Sequence, residues 1–372
     1  MKNLIVLLVL FISQLVLITG AIIYISNRYA SFFPAIPKKV WIWGFIVISV
    51  ISILGSIVFT MIEHPIGKTI SIFGGVATSL FLFLIMSVAL TDLFNLIFKF
   101  SPQIRGIFST GLAVLFMVYG VWNAHTIKVR EVTIPMKGLT HEIHAVHITD
   151  VHLGNLWGKR RVDKIVGKIK DLNPEVIFNT GDMFDSKVHF GEDKDVLAAF
   201  RTLNVPHYFV YGNHDEMVGV QKVIEQLKSA HATVLLNEIA YFGELQIIGL
   251  ENKPVDENTF DPHGKPGAES IKSITTKLPI DENRPTIVLH HRPDGVKFMV
   301  TKKVDLFLAG HTHAGQLFPF SLITKLMFRY NRGLYHYDTI NIYVSEGTGT
   351  IFLPVRFGTS SEIAAIRLIP GK

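Results

Sequence analysis

Charge is spread very unevenly along this chain. Residues 1–125 hold nine charged side chains (Lys2, Arg28, Lys38, Lys39, Glu63, Lys68, Asp92, Lys99 and Arg105), and the remaining 247 residues hold 57. Long uncharged segments restrict the choice of structure, because a helix that crosses about 30 Å of hydrocarbon needs roughly 20 mostly apolar residues. Leu4–Ile25, Val40–Met61 and Ile70–Leu90 are uncharged stretches of that kind, and Gly106–Ala124 is a shorter fourth. The first exceeds the roughly 7–15-residue core of a signal peptide and no A-x-A site follows it, which favours a retained anchor. Trp41, Trp43, Tyr119 and Trp122 lie near the ends of these stretches, where amphipathic rings prefer the interface. The sequence thus predicts an α-helical transmembrane region over residues 1–125 and a globular domain over 126–372.

A transporter would need an ionisable group in mid-span. The one candidate is Asp92, expected at the end of the third span, where it would reach headgroups or cap Leu93–Phe100. Anchoring is the better reading. Four spans put the amino terminus and the large domain on one side. Loops on the opposite side carry Arg28, Lys38, Lys39, Lys99 and Arg105, against Lys2 and Lys68 on the domain side. By the positive-inside rule this predicts a multi-pass protein of the cell membrane with an extracytoplasmic domain, although Lys128, Arg130 and Lys137 would level the count.

The domain itself holds 29 basic and 28 acidic side chains. Its near-neutral balance and the expected lack of a basic run argue against a nucleic-acid partner, whose affinity comes largely from counterion release by Lys and Arg. With no cysteine, thiolate nucleophiles and sulfur-ligated zinc are excluded. Short apolar runs alternate with helical spacing: Ile143–Thr149, then Val162, Ile165, Val166, Ile169 and Leu172, then Val176–Asn179. This is an α/β signature. Further strands are predicted at Tyr208–Tyr211, Leu245–Leu250, Thr286–Leu289, Leu306–Ala309 and Ile340–Val344, with helices at Asp195–Leu203 and Val218–Ala230. Asp256–Ala268, rich in Pro, Gly and polar residues, reads as a surface excursion.

Polar residues follow one predicted strand after another. They are Asp150 and His152, then Gly181-Asp182, then Gly212-Asn213-His214-Asp215, then His290-His291, and finally Gly310-His311-Thr312-His313. Open α/β sheets place ligands at the carboxyl ends of their strands. Singly, each motif could be a turn or a satisfied core group, but five ordered clusters of Asp, Asn and His are hard to explain as caps. Such ligands without sulfur suit manganese, iron or zinc.

Asp150-Val-His152, Gly181-Asp182-Met-Phe-Asp185, Gly212-Asn213-His214-Asp215, His291-Arg-Pro and Gly310-His311-Thr-His313 together resemble the calcineurin-like metallophosphoesterases. The string Ala309–Gln316, with Leu317-Phe-Pro-Phe320, Gly333-Leu-Tyr335 and Tyr343-Val-Ser345, is similar to the membrane-associated bacterial branch. The resemblance covers residues 130–370. It implies a four-layer α/β/β/α sandwich and two divalent metal ions. Asp150, His152 and His313 would hold the first ion, Asp182 would bridge, and Asn213, His291 and His311 would hold the second. His291 is preferred to His290 because the family ligand stands two residues before a proline, here Pro293. His214 would donate a proton to the leaving oxygen or stabilise developing charge, with Asp215 orienting its ring. Paired cations stabilise attacking and leaving oxygens and lower the pKa of a bound water.

Thr149, Val151, Glu346 and the pair Ser360-Ser361 depart from the family pattern, the last three being expected at the substrate rim. A soluble-substrate phosphodiesterase or nuclease and a non-catalytic binding scaffold are the alternatives, and a scaffold should have lost ligands. Finally, Leu317–Tyr335 interleaves Phe318, Phe320, Leu322, Ile323, Leu326, Met327 and Phe328 with Lys325, Arg329 and Arg332. Apolar groups with basic neighbours suit an interfacial segment, so the expected partners are membrane lipid and an amphiphilic phosphate or pyrophosphate ester.

Overall fold

The computed structural model describes residues 2–61, 65–185, 195–256 and 269–371. Of the expected excursion at Asp256–Ala268, all but Asp256 lies outside the described residues. The chain forms two compact units, Met1–Trp122 with Phe352–Val355, and Asn123–Ile351 with Arg356–Lys372.

Four helices make up the first unit: α1 (Lys2–Phe32), α2 (Lys38–Met61), α3 (Pro65–Phe98) and α4 (Pro102–His125). All four are long and apolar enough to cross a membrane. They outrun the uncharged stretches, because nothing breaks α1 before Pro34 or α3 before Pro102, and a residue preceding proline is pushed out of the helical region. Asp92 therefore lies inside α3 and does not cap a separate Leu93–Phe100 segment. Its carboxylate accepts from Arg28 Nε at 2.8 Å and from the Tyr24 hydroxyl at 2.7 Å, a pairing that offsets the cost of charge in apolar surroundings. Helices α2 and α3 approach closely at Gly55 and Gly74, where a Cβ on either would fall within 2.4 Å of the other's Cα. Small residues permit such backbone contact between apolar helices.

In the second unit two six-stranded sheets lie face to face. The first contains β1 (Ile127–Lys137), β2 (Ile143–Ile148), β3 (Val176–Asn179), β4 (His207–Phe209), β5 (Ala232–Val234) and β12 (Ser361–Gly371), in the order β1-β12-β2-β3-β4-β5. The second contains β6 (Glu238–Phe242), β7 (Leu245–Gly249), β8 (Thr286–Leu289), β9 (Leu306–Ala309), β10 (Gly333–Tyr337) and β11 (Ile340–Val344), in the order β10-β11-β9-β8-β7-β6. Strands β2 to β5 run parallel, as do β7, β8, β9 and β11.

Strand residues alternate between cores, as a period of two requires. Val176 and Phe178 of β3, Ile287 and Leu289 of β8, and Leu306 and Leu308 of β9 fill the core shared by the two sheets. Ile177 faces outward beneath α5 (Lys159–Leu172), which presents Val162, Ile165, Val166 and Ile169. Val288 and Phe307 face outward beneath α8 (Ile271–Lys277), which presents Ile271 and Ile274. Burial on both faces is why these strands are unbroken apolar runs. The layers are helix, sheet, sheet, helix, the expected α/β/β/α sandwich.

One predicted helix changes: Asp195–Leu203 contains only a 3-10 turn at Ala198–Thr202. The helix expected at Val218–Ala230 is α7 (Val220–Ser229), which starts after Gly219, whose φ of +118° lies outside the helical region and separates it from a short α6 (Asn213–Val218).

Candidate metal centre

The carboxyl ends of β2, β3, β4, β8 and β9 deliver every residue singled out in the sequence. Asp150 and His152 follow β2, Asp182 follows β3, Asn213 and His214 follow β4, His291 follows β8, and His311 and His313 follow β9. Five of these adopt left-handed backbone, namely Asp150 (φ 51°), His152 (52°), Asp182 (51°), His311 (71°) and His313 (48°). Such conformations cost non-glycine residues about 1–3 kcal/mol each and cluster at functional sites. Gly310 lets two turns meet, since a Cβ there would fall 2.1 Å from Asp150 Oδ2. The Asp150 carboxylate instead accepts from the His311 N–H, at 3.0 Å through Oδ2.

Donor atoms converge in two adjoining sets. In one, His313 Nε2 stands 3.3 Å and His152 Nε2 3.8 Å from Asp150 Oδ1, and the two ring nitrogens are 2.9 Å apart. In the other, His291 Nε2 is 3.0 Å from Asp182 Oδ2 and 3.2 Å from His311 Nδ1. Asp182 Oδ2 also lies 3.8 Å from His152 Nε2, so this carboxylate touches both sets. Three groups with geometry suited to a metal ion emerge: Asp150, His152 and His313; Asp182, His291 and His311; and His152, Asp182 and His214.

These surroundings fit cations. Ring nitrogens face one another in pairs, His152 with His313 and His291 with His311. The Oδ1 of Asn213 and the Nδ1 of His152 are buried without a hydrogen-bond partner. The Nδ1 of His291 lies 2.7 Å from the Thr180 carbonyl, which fixes the proton on Nδ1 and leaves Nε2 to act as a ligand. Burial opposes ionisation of Asp150 and Asp182, but neighbouring histidines, His313 and His291 first respectively, hold both below the usual carboxylate range. Burial also opposes charge on His291, yet Asp182 pushes that ring up to about 9. A cation in place of that proton would meet the same carboxylate.

His290 points away from the site, as the sequence suggested. Its ring packs on Phe307 of the outer core, with centroids 6.1 Å apart, and its Nδ1 meets the Arg292 carbonyl at 2.7 Å. The ring of His214 stands edge-on to His152, with centroids 4.9 Å apart, and burial pushes it down to about 4. Asp215 does not hold that ring. Its two oxygens accept the N–H groups of Phe184 and Gly212, each at 3.0 Å, the geometry of an acid that closes a helix start on the preceding loop. Adjacent residues on a helix point in different directions, so Asp215 positions backbone while His214 faces the site.

The departures at Glu346 and Ser360-Ser361 are not at a rim. Glu346 is buried, takes the Ser360 N–H at 2.5 Å and faces Arg332 at 3.3 Å; Ser361 is buried and donates to the Ala124 carbonyl at 2.9 Å. One contributor went unseen in the sequence. The fully buried Arg356 donates to the carbonyls of Glu346 at 2.6 Å and Gly349 at 2.8 Å, and its Nη2 lies 3.1 Å from His313 Nδ1. Its partners are mainly backbone atoms, which leave no side-chain pattern to read.

A family model described as calcineurin-like phosphoesterase matches residues 143–315. A metallophosphoesterase of Helicobacter pylori is 34% identical over 247 residues, covering 65% of this chain and 64% of that protein. A Danio rerio protein described as a transmembrane protein with metallophosphoesterase domain is 31% identical over 274 residues, covering 69% and 61%. A Bacillus subtilis metallophosphoesterase is 28% identical over 259 residues, covering 66% and 86%. The chain thus spans a little under two thirds of the length of the first two of these relatives. The matched model, the named relatives and the five ordered motifs agree: residues 143–315 of this chain are similar to the calcineurin-like phosphoesterases.

Proposed function

We propose that this protein is a membrane-anchored phosphoesterase with two divalent metal ions, which hydrolyses a phosphate or pyrophosphate ester. The observation that carries the reading is Asp182, whose carboxylate lies between two histidine-rich donor sets. Asp150, His152 and His313 would hold one ion and Asn213, His291 and His311 the other, with Asp182 shared. When bound, the pair supplies Lewis-acid stabilisation of the phosphoryl oxygens and a nucleophile at neutral pH. His214, neutral at pH 7 on account of its burial, donates a hydrogen bond toward developing negative charge, and a phosphate dianion beside it would raise its pKa toward that of a working acid. Residues 1–125 serve as the anchor, with residues 126–372 on the extracytoplasmic side.

An amphiphilic, lipid-linked substrate is supported by helix α9 (Phe320–Met327). Leu322, Ile323, Leu326 and Met327 are exposed there, Leu326 at 88%, and the next residue, Phe328, packs edge-on against the His311 ring with centroids 5.5 Å apart. An apolar surface so near the donor sets can hold an acyl or prenyl chain while its phosphate reaches the centre. The test is hydrolysis by the purified full chain, with manganese, iron or zinc added, of lipid-linked pyrophosphates, nucleotide sugars, cyclic nucleotides and DNA. Turnover of an amphiphilic ester is the expected result. Turnover of DNA or cyclic nucleotides alone would replace the substrate class, and no turnover with any metal would leave a binding scaffold.

A further inference from the structure

Away from the metal centre, a cavity of about 770 Å³ has among its lining residues His125, Trp157, Lys159, Arg160, Arg161 and Lys164, with a single carboxylate, Asp163. None of these belongs to the donor sets. Lys159, Arg160 and Arg161 form a basic run that opens α5 with no acidic residue in its first turn, and Lys164 follows in the second turn beside Asp163. A helix amino terminus carries partial positive charge and favours acids, so helix stability does not explain this choice.

The cations are poorly compensated. Lys159 pairs with Asp163 at 3.3 Å, but among the described residues Arg160, Arg161 and Lys164 have no carboxylate in ion-pair reach. Arg161 is 3% exposed; its Nη1 and Nη2 donate to the carbonyls of His125 and Thr348, its Nε has no hydrogen-bond partner, and its guanidinium lies over the Trp157 ring at 4.4 Å. Burial, followed by the charge of Arg356, pushes it down to about 9. Neutral carbonyls and an aromatic wall leave this cation without a counter-charge, which an anion in the cavity would supply.

Location narrows the anion. His125 is the last residue of α4, and its ring stands edge-on to Trp157 with centroids 4.9 Å apart. If α4 spans the bilayer, its end lies among headgroups, where basic pockets take anionic lipids. We propose that this cavity binds the phosphate headgroup of an anionic membrane lipid. The assignment rests on reading α4 as a span.

The probe is phosphatidylglycerol, with phosphatidylcholine and inorganic phosphate as comparisons, and the readout is lipid retained on the purified full chain by native mass spectrometry. Arg160→Ser with Lys164→Ser alters two exposed side chains and should leave the fold and metal content intact. Lys168→Ser with Lys170→Ser, on the same helix outside the cavity lining, is the control. The wild type and the control should retain phosphatidylglycerol over phosphatidylcholine, and the first variant should retain roughly 30-fold less, given about 1 kcal/mol for each of the two basic residues near an anionic surface. Equal retention of both lipids, or equal loss in both variants, would overturn the proposal. Competition by millimolar inorganic phosphate as effective as by lipid would make this a soluble-anion site and overturn the lipid assignment. Extraction of the chain from membranes by alkaline carbonate is scored separately, and release there refutes the span whatever the lipid binding shows.

Discussion

His214 separates two ways of assisting phosphoester cleavage. Its ring faces His152 at the edge of the donor sets, while its backbone N–H donates to Asp182 Oδ1 at 2.8 Å. His214→Ala keeps that backbone bond, so the account expects metal content to persist while hydrolysis of esters with poor leaving groups falls roughly 10²- to 10⁴-fold. Equal losses on activated aryl phosphates would assign the residue to charge stabilisation alone. His207 offers a different test, because it lies outside the centre, is buried against Phe200 and has no partner on Nε2. Burial pushes its ring down to about 4. A histidine with a depressed folded pKa contributes stability that is present above its unfolded pKa of about 6.5 and is lost as pH falls toward 4. The metal-free chain should therefore lose up to about 3 kcal/mol through this one group over that window, read as a falling Tm. His207→Leu should flatten this part of the profile, and an unchanged slope would remove His207 from the explanation.

Helix α9 is the element that bears on substrate. With Leu326 88% and Met327 70% exposed, Leu326→Ser with Met327→Ser should not disturb the core. It should lower hydrolysis of a long-chain ester in mixed micelles by roughly tenfold or more, from the lost burial of two apolar side chains, and leave a short-chain soluble analogue unaffected. Equal rates on both esters, unchanged by the substitutions, would mean that the helices only locate the enzyme. Elements differed in how readable they were. Strands β3, β8 and β9 were legible because burial on both faces makes each a short apolar run, and the polar groups after β2, β3, β4, β8 and β9 gave the donor residues. Strands β1 and β12 were not, since their eleven-residue pairing joins Ile127 to Ser361 across most of the domain's sequence, and charged positions such as Arg130, Glu131 and Arg367 hide the apolar face. The helix expected at Val218–Ala230 formed over Val220–Ser229, shortened at its start by Gly219, whereas the role given to Asp215 failed because a capping contact with backbone has the same sequence as a contact with the neighbouring ring.

For the whole molecule, side of the membrane and chemistry can be tested separately. The chain has no cysteine, so Lys137→Cys should label from outside intact cells with an impermeant thiol reagent, and Lys38→Cys only after lysis. The reverse pattern would put the domain in the cytoplasm without touching the metal account. That account rests on one carboxylate shared by two donor sets, and its most direct test combines metal analysis with hydrolysis for the wild type and Asp182→Ala. The wild type should bind two divalent ions per chain and hydrolyse an aryl phosphate ester. Asp182→Ala should lose both occupancy and turnover, because two close cations would then repel with no shared anion. Two ions still bound in Asp182→Ala, with hydrolysis intact, would contradict the dinuclear centre.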